Sequence, residues 1–178
     1  LIVGVGFAIS AEIVKSAKAN PKIKYAVVDD AGEDCDANFN CKPVANVKGL
    51  TFQTDEAAFM AGYLAAGVSR TGKVATYGGA PYPTVTIFMD GYARGVDYYN
   101  KQKGKSVKVL GWDPANPKSG TFVGNFSDQT KALTISKGFE QQGADVILPV
   151  GGNLGAPYAA ESEKSKKSLT IWVDSDGF

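Results

Sequence analysis

The sequence predicts an α/β protein built on parallel sheets, with helices on both sheet faces. Apolar segments of strand length alternate with helix-length segments along the whole chain, which is the pattern of β-α-β units. The clearest unit is GLTFQTDEAAFMAGYLAAGVSRTGKVATYGG at 49–79. Its helix begins near Thr54, with Asp55 and Glu56 in the first turn, where the helix dipole favours carboxylates. A new buried strand starts at Lys73 and ends on two glycines.

The other elements follow in the same alternation. Ser10 is placed to cap the first helix, which Pro21 ends, and the segment 31–47 is predicted to be a long polar loop. Predicted strands are 1–5, 22–30, 46–52, 73–79, 106–113, 144–150 and 169–176, and predicted helices are 11–20, 54–70, 85–101, 129–142 and 156–166.

Composition excludes several classes of protein. The 178 residues include 19 basic and 18 acidic side chains that are interspersed, so no basic stripe indicates nucleic-acid binding. No apolar run is long enough to predict a transmembrane helix. Histidine is absent, which removes the commonest general base and metal ligand. We therefore predict no enzymatic activity, no metal site and no cofactor.

A phosphate-loop pattern at 67–73, GVSRTGK, is explained by a helix end. The pattern requires Ser or Thr after the lysine and a following helix, whereas Val74 follows here and begins to form a strand.

The two cysteines, Cys35 and Cys41, lie in the polar segment between predicted elements. Five intervening residues allow a small disulfide loop, which forms in an oxidising compartment, and two free thiols are the alternative. We predict the disulfide, and with it a location outside the cytoplasm.

Candidate binding residues lie where the predicted strands end. Ligands of open parallel sheets bind beyond the carboxyl ends of the strands. The residues there include glycines, aromatic side chains and aspartates, which suit a polar molecule with a flat ring. Turns and helix caps use the same residue types, and that reading stays open for most of these positions. They are Gly6, Phe7, Asp29, Asp30, 53–56, Gly78, Gly79, Trp112, Asp113, Gly151, Gly152 and 174–176.

Six segments in order resemble the basic membrane protein family of solute-binding lipoproteins, of the purine-nucleoside receptor type. They are LIVGVGFAIS, the stretch 49–79, FMDGYARGV, NFSD, GADVILPVGG and WVDSD. The resemblance implies a two-lobed type I periplasmic-binding-protein fold. It also implies that this sequence is a fragment, with 1–72 the latter part of lobe one and 73–178 most of lobe two.

The resemblance also implies roles for individual residues. Phe126 stacks on the nucleobase, Asp174 binds the ribose hydroxyls, and the backbone of Gly151 and Gly152 contacts the ligand. An acidic residue at the start of the central helix is a further contact. Asp55 is the match for that residue, and Glu56 replaces it if the alignment slips by one.

The predicted function is capture of a nucleoside between two lobes and its delivery to an ABC permease. The implied protein is a monomer outside the cytoplasm, held to the membrane by a lipid anchor beyond this sequence, with no nucleic-acid partner. Two alternatives share the fold: a ligand-sensing domain of a transcription regulator or receptor, and a Rossmann-like enzyme acting on nucleosides or sugars.

Overall fold

A computed structural model describes residues 1–36 and 41–174, which form two compact units, Leu1–Gln53 and Thr54–Phe178. The strands are β1 (Ile2–Val5), β2 (Tyr25–Val28), β3 (Glu33–Cys35), β4 (Cys41–Pro43), β5 (Val47–Leu50), β6 (Lys73–Gly78), β7 (Lys108–Leu110), β8 (Val146–Val150) and β9 (Leu169–Thr170). The helices are α1 (Ser10–Ala19), α2 (Thr54–Val68), α3 (Pro83–Lys103), α4 (Gln129–Gln141) and α5 (Ala156–Ser165). Single 3-10 turns cover Phe7–Ile9, Pro117–Ser119 and Gly152–Gly155.

The first unit is a parallel sheet of order β1-β2-β5 with α1 packed against it. Ser10 does not cap α1 as predicted, because the preceding 3-10 turn makes it the first helical residue. Its hydroxyl instead donates to Asp30 over 2.5 Å, which joins the helix start to the end of β2. Ile9 occupies the cap position and makes no side-chain hydrogen bond there.

The segment predicted to be a loop contains a short antiparallel hairpin, β3–β4. Cys35 and Cys41 lie opposite each other in this hairpin and form a disulfide, so that prediction is confirmed. Lys18 of α1 donates to Asp34 over 2.5 Å and ties the hairpin to the helix. Residues 37–40 lie outside the described residues.

The second unit is a parallel sheet of order β7-β6-β8-β9, with a separate core on each face. Alternate residues of β6 point to opposite faces, as strand geometry requires. Val74 joins the core formed with α2 and α3, and Tyr77 joins the core formed with α4 and α5. This doubly covered parallel sheet is the α/β architecture that the sequence predicts.

Helices α2 and α3 lie in close contact, as the small residues of α2 predict. A Cβ atom on Gly62 would overlap the backbone of Tyr92, and one on Gly95 would overlap the backbone of Phe59. Because α2 packs on α3, the compact units divide after Gln53 rather than near 71–73. The assignment of 1–72 and 73–178 to two lobes of the whole protein stays a prediction.

Several element ends differ from the predicted ranges, and those of α3 and β9 bear on the site. Helix α3 begins at Pro83 rather than Val85, because proline fits the first helical position, where its missing N–H is not needed. Strand β9 spans Leu169–Thr170 only. The end of its predicted range, with Asp176, lies outside the described residues.

Candidate functional site

The candidate site is built at the carboxyl ends of β6 and β8, which are paired neighbours in the second sheet. The amide of Gly79 donates to the carbonyl of Val150 over 2.8 Å, so the two strand ends stay joined beyond the regular ladder. Both strands then turn away, β6 at Gly79 and β8 at Gly151. The glycines at this edge let neighbouring side chains lie directly on the backbone.

The segment 121–124 runs alongside the end of β6 and closes this edge. Gly78 donates to Thr121 over 3.1 Å, Val123 donates to Gly78 over 3.0 Å, and Gly124 donates to Gly79 over 2.7 Å. These bonds extend the sheet by a few residues that belong to no regular strand. They also fix the direction in which the chain enters the next turn.

That turn holds Phe126. The Oδ1 atom of Asn125 accepts from the backbone amides of Ser127 and Asp128, over 2.9 and 2.7 Å. The side chain of Asp128 then accepts from the amide of Lys131 over 2.9 Å and caps α4. The backbone on both sides of Phe126 is thus held by hydrogen bonds.

The ring of Phe126 lies directly on the backbone of Gly79. A Cβ atom on Gly79 would overlap the Cδ1 and Cε1 atoms of the ring, so any side chain there would displace it. The ring of Tyr82, at the start of α3, lies with its centroid 6.2 Å from that of Phe126 and its plane tilted by 31°. Phe126 is half-buried, and Tyr82 is 43% exposed.

Asp174 lies beside the end of β8. A Cβ atom built on Gly152 would be 3.5 Å from its Oδ2 atom, so the carboxylate borders the backbone of Gly152. Gly152 has a φ of 54°, and Asp174 has a φ of 70°, in a region that aspartate tolerates better than most residues. Asp174 is exposed, and among the described residues no ion pair engages its carboxylate.

Four of the six predicted binding residues are therefore neighbours of the joined ends of β6 and β8: Phe126, Gly151, Gly152 and Asp174. Asp55 and Glu56 are placed differently. The backbone of Asp55 lies against Gly91, in the third turn of α3, whereas Tyr82 and Phe126 lie at the start of that helix. Asp55 is half-buried, and Glu56 is exposed.

Tyr82 is the residue of this site that the sequence analysis missed. It stands between Pro81 and Pro83, three residues after Gly79. An aromatic residue between two prolines near a strand end was the available signal.

The groups on this surface can stack on a ligand or hydrogen-bond to it. They are an aromatic ring, an exposed carboxylate, and backbone amides near glycines. Among the described residues, no group of three His, Cys, Asp or Glu side chains could hold a metal ion. In the same part of the chain, no helix has both the length and the apolar character to cross a bilayer.

The fold is that of a solute-binding protein. Solved structures with this architecture include an ABC transporter solute-binding protein of Aeropyrum pernix K1, which is 26% identical with a TM-score of 0.69. The similarity covers 95% of this chain and 45% of that one. A transcriptional activator of the comK gene from Bacillus halodurans, 20% identical with a TM-score of 0.64, shares the fold alone over 96% of this chain and 50% of its own.

The chain belongs to the PnrA-like ABC transporter substrate-binding proteins, whose family model matches residues 1–178. This confirms the resemblance, and the family is one of solute-binding proteins rather than enzymes. Basic membrane protein A1 of Borrelia garinii subsp. bavariensis is 34% identical over 160 residues, which are 88% of this chain and 41% of that protein. A Lactococcus lactis protein named ABC transporter nucleoside-binding protein BmpA is 28% identical over 177 residues, 97% of this chain and 44% of its own. The chain thus spans less than half the length of these relatives.

Proposed function

We propose that this chain supplies one wall of a binding site for a purine nucleoside in an extracytoplasmic solute-binding protein. The observation that carries the proposal is the ring of Phe126 fixed on Gly79, with the carboxylate of Asp174 at the neighbouring strand end. The name of the Lactococcus lactis relative supports the same class of ligand.

The nucleobase would stack on the aromatic pair. Phe126 is held by its own turn and by contact with Gly79, so little ordering of the ring remains to be done when the ligand binds. Preorganised aromatic surfaces bind flat rings well because both partners lose water from apolar faces. Tyr82, tilted beside Phe126, is placed to contact the same base from its edge.

The ribose would bind at Asp174. A carboxylate accepts hydrogen bonds from two hydroxyls, which matches the adjacent hydroxyls of a ribose. Such hydrogen bonds are the stronger kind because the acceptor is charged. The backbone of Gly151 and Gly152 can approach the ligand closely beside this carboxylate.

Membership of the family supports a wider role. Closing of two lobes around the nucleoside would bury it, and the closed protein would deliver it to an ABC permease. We propose that Asp55 or Glu56 contacts the ligand after closure. We also propose that the whole protein is a monomer held at the membrane by a lipid anchor.

The decisive experiment identifies the bound molecule. The intact protein is purified without added ligand and denatured, and the released small molecules are identified by mass spectrometry. A purine nucleoside in stoichiometric amount is the expected result. If the purified protein contains no bound small molecule, it is titrated by calorimetry with a panel of nucleosides, bases and sugars.

The panel separates the two contacts. A free base tests stacking alone, and a 2′-deoxynucleoside tests the ribose hydroxyls. Tight binding of a sugar or a nicotinamide cofactor, with no affinity for any nucleoside, would overturn the proposal.

A further inference from the structure

The opposite edge of the second sheet carries a dense cluster of positive charge. We define the amino edge as the four connections that lead into its strands, 69–73, 100–108, 138–146 and 162–170. These connections hold nine basic side chains: Arg70, Lys73, Lys101, Lys103, Lys105, Lys108, Lys164, Lys166 and Lys167. Eight of them are exposed, and Lys73 is half-buried.

The sheet brings these residues together. Lys73 and Lys108 are register partners on neighbouring strands, and Arg70 donates to the backbone carbonyl of Lys167 over 3.3 Å. Four strand starts at a spacing of about 4.8 Å span roughly 15 Å. Neighbouring strand starts are closer together than the screening length of roughly 8 Å at physiological ionic strength, so the fields of charges on adjacent strands overlap.

Three carboxylates share the edge, and two of them are engaged inside the protein. Asp145 is buried and accepts from Ser69, Arg70 and Thr71 at 2.6, 2.7 and 3.1 Å. Glu140 accepts from the hydroxyl of Tyr158 over 2.9 Å. Glu163 is the third. Among the described residues, no carboxylate forms an ion pair with any of the nine basic side chains.

Helix ends explain only part of this cluster. Lys101 and Lys103 lie in the last turn of α3, and Lys164 lies in the last turn of α5, where cations offset the helix dipole. The other six basic residues lie beyond the helix ends, in turns or at strand starts, where the structure of the fold does not require a positive charge.

We propose that the amino edge docks on the surface of a bilayer that contains anionic phospholipid. Eight of the nine residues are lysines, whose hydrated point charges suit attraction to a diffuse negative surface. Leu169, 55% exposed on the same edge, supplies an apolar contact at the headgroup boundary. The family acts at ABC transporters, which are membrane complexes, so such a surface is within reach.

The composition of the edge does not favour nucleic acid. Single-stranded nucleic acid is bound by exposed aromatic rings and arginines. The amino edge has one arginine, and its one aromatic residue, Phe139, is buried. Soluble polyanions are therefore an outcome of the test rather than the proposed partner.

The test is cosedimentation of the full-length protein, produced without lipid modification, with vesicles. Vesicles of phosphatidylglycerol and phosphatidylcholine are compared with vesicles of phosphatidylcholine alone, at low and at physiological ionic strength. We expect binding to the anionic vesicles only, weakened by salt.

A matched pair of variants assigns the binding to this edge. Lys166→Gln/Lys167→Gln removes two exposed charges from the amino edge, and Lys118→Gln/Lys131→Gln removes two exposed charges near the opposite edge. Each lysine near an anionic surface contributes a factor of roughly five, so the first variant should bind roughly 25-fold more weakly. The second should bind about as the parent does. Circular dichroism confirms that both are folded.

Four results would overturn the proposal: equal binding to neutral vesicles, no binding to anionic vesicles at low salt, equal weakening in both variants, or binding to heparin or DNA in preference to vesicles. Nucleoside titration of the same variants keeps the two proposals apart. The amino-edge variant should retain the affinity of the parent for nucleoside. The vesicle assay therefore decides only the membrane proposal, and the nucleoside titration decides only the proposed function.

Discussion

The two edges of the second sheet are built from the same strands and helices but carry different chemistry. The carboxyl edge has glycines, prolines and aromatic side chains around Gly79, Tyr82, Phe126 and Gly152, and its charges are mostly acidic. The amino edge is dominated by lysines. Part of the difference in charge follows from helix direction, because α3, α4 and α5 each begin at the carboxyl edge and end at the amino edge. Dipoles do not account for the aromatic rings and glycines, so those features, rather than charge, are the basis for placing the proposed ligand at the carboxyl edge.

The largest expected effect concerns stability at the amino edge. Asp145→Ala removes a buried carboxylate and leaves the Ser69 hydroxyl and two backbone amides without their acceptor. We expect a loss of about 3 kcal/mol in the free energy of unfolding, measured by urea denaturation. Glu163→Ala, on the same edge but exposed, is the control and should change the value by less than about 0.5 kcal/mol. Equal stability of the two variants would show that the buried carboxylate is not what joins α2 to the start of β8.

The next effect concerns binding at the carboxyl edge. Asp174→Ala should weaken nucleoside binding by about 2 kcal/mol, or roughly thirtyfold, because the ribose hydroxyls lose a charged acceptor. Calorimetric titration measures this change, and urea denaturation should give a stability near that of the parent. Affinity unchanged by the substitution would remove Asp174 from the site.

A smaller effect is expected where the Phe126 ring contacts Gly79. Gly79→Ala places a methyl group against the ring and should lower nucleoside affinity about tenfold. Gly138→Ala is the matched control, because a Cβ atom at this position in α4 meets open space and should stabilise the protein slightly. In a Phe126→Leu background the effect of Gly79→Ala on affinity should shrink. An undiminished effect there would mean that Gly79 acts on the ligand without Phe126.

The smallest effect concerns a buried tyrosine of α3. Burial, and then the negative charge of Asp145, raise the pKa of Tyr92 above its usual value of 10.0. The unfolded chain therefore ionises first as the pH rises past 10, and stability that is present below pH 10 is lost above it, by up to about 1.4 kcal/mol per pH unit. Among the described residues the Tyr92 hydroxyl has no hydrogen-bond partner.

The free energy of unfolding of Tyr92→Phe should accordingly be about 1 kcal/mol higher than that of the parent at pH 7. It should also fall less than that of the parent as the pH rises above 10. Tyr158→Phe is the contrasting variant, since the Tyr158 hydroxyl donates to the Glu140 carboxylate and also hydrogen-bonds the Ser168 hydroxyl, so its removal should destabilise. Urea titrations at pH 7 and above pH 10 measure both variants. A destabilised Tyr92→Phe protein would mean that the hydroxyl makes a hydrogen bond that stabilises the folded state.

The elements that sequence predicts well are those with strong local patterns. The buried strands β6 and β8 and helices α2 and α4 appear close to their predicted ranges, because apolar runs and helix-ending glycines define them. The hairpin β3–β4 was missed because its strands are polar and short, and its pairing is held by the Cys35–Cys41 disulfide.

The site could be predicted in composition but not in arrangement. Glycines, aromatic residues and aspartates at strand ends indicated a surface for a flat polar molecule, and the family resemblance selected Phe126 and Asp174. The contact of Phe126 with Gly79 depends on the pairing of segment 121–124 with the end of β6. These two parts of the chain are more than 40 residues apart in sequence. No local pattern encodes that pairing, and for the same reason Tyr82 escaped notice.

The turn at Asn125 has a practical consequence for producing the protein. Asn125, Phe126 and Ser127 form an N-glycosylation sequon, and Asn125 is exposed. A glycan attached through Nδ2 would leave Oδ1 in its hydrogen bonds to Ser127 and Asp128, so the turn would persist with a bulky sugar beside the Phe126 ring. Material secreted from a eukaryotic host would then be folded but blocked, and a bacterial host or an Asn125→Asp variant, which keeps the accepting oxygen, avoids this.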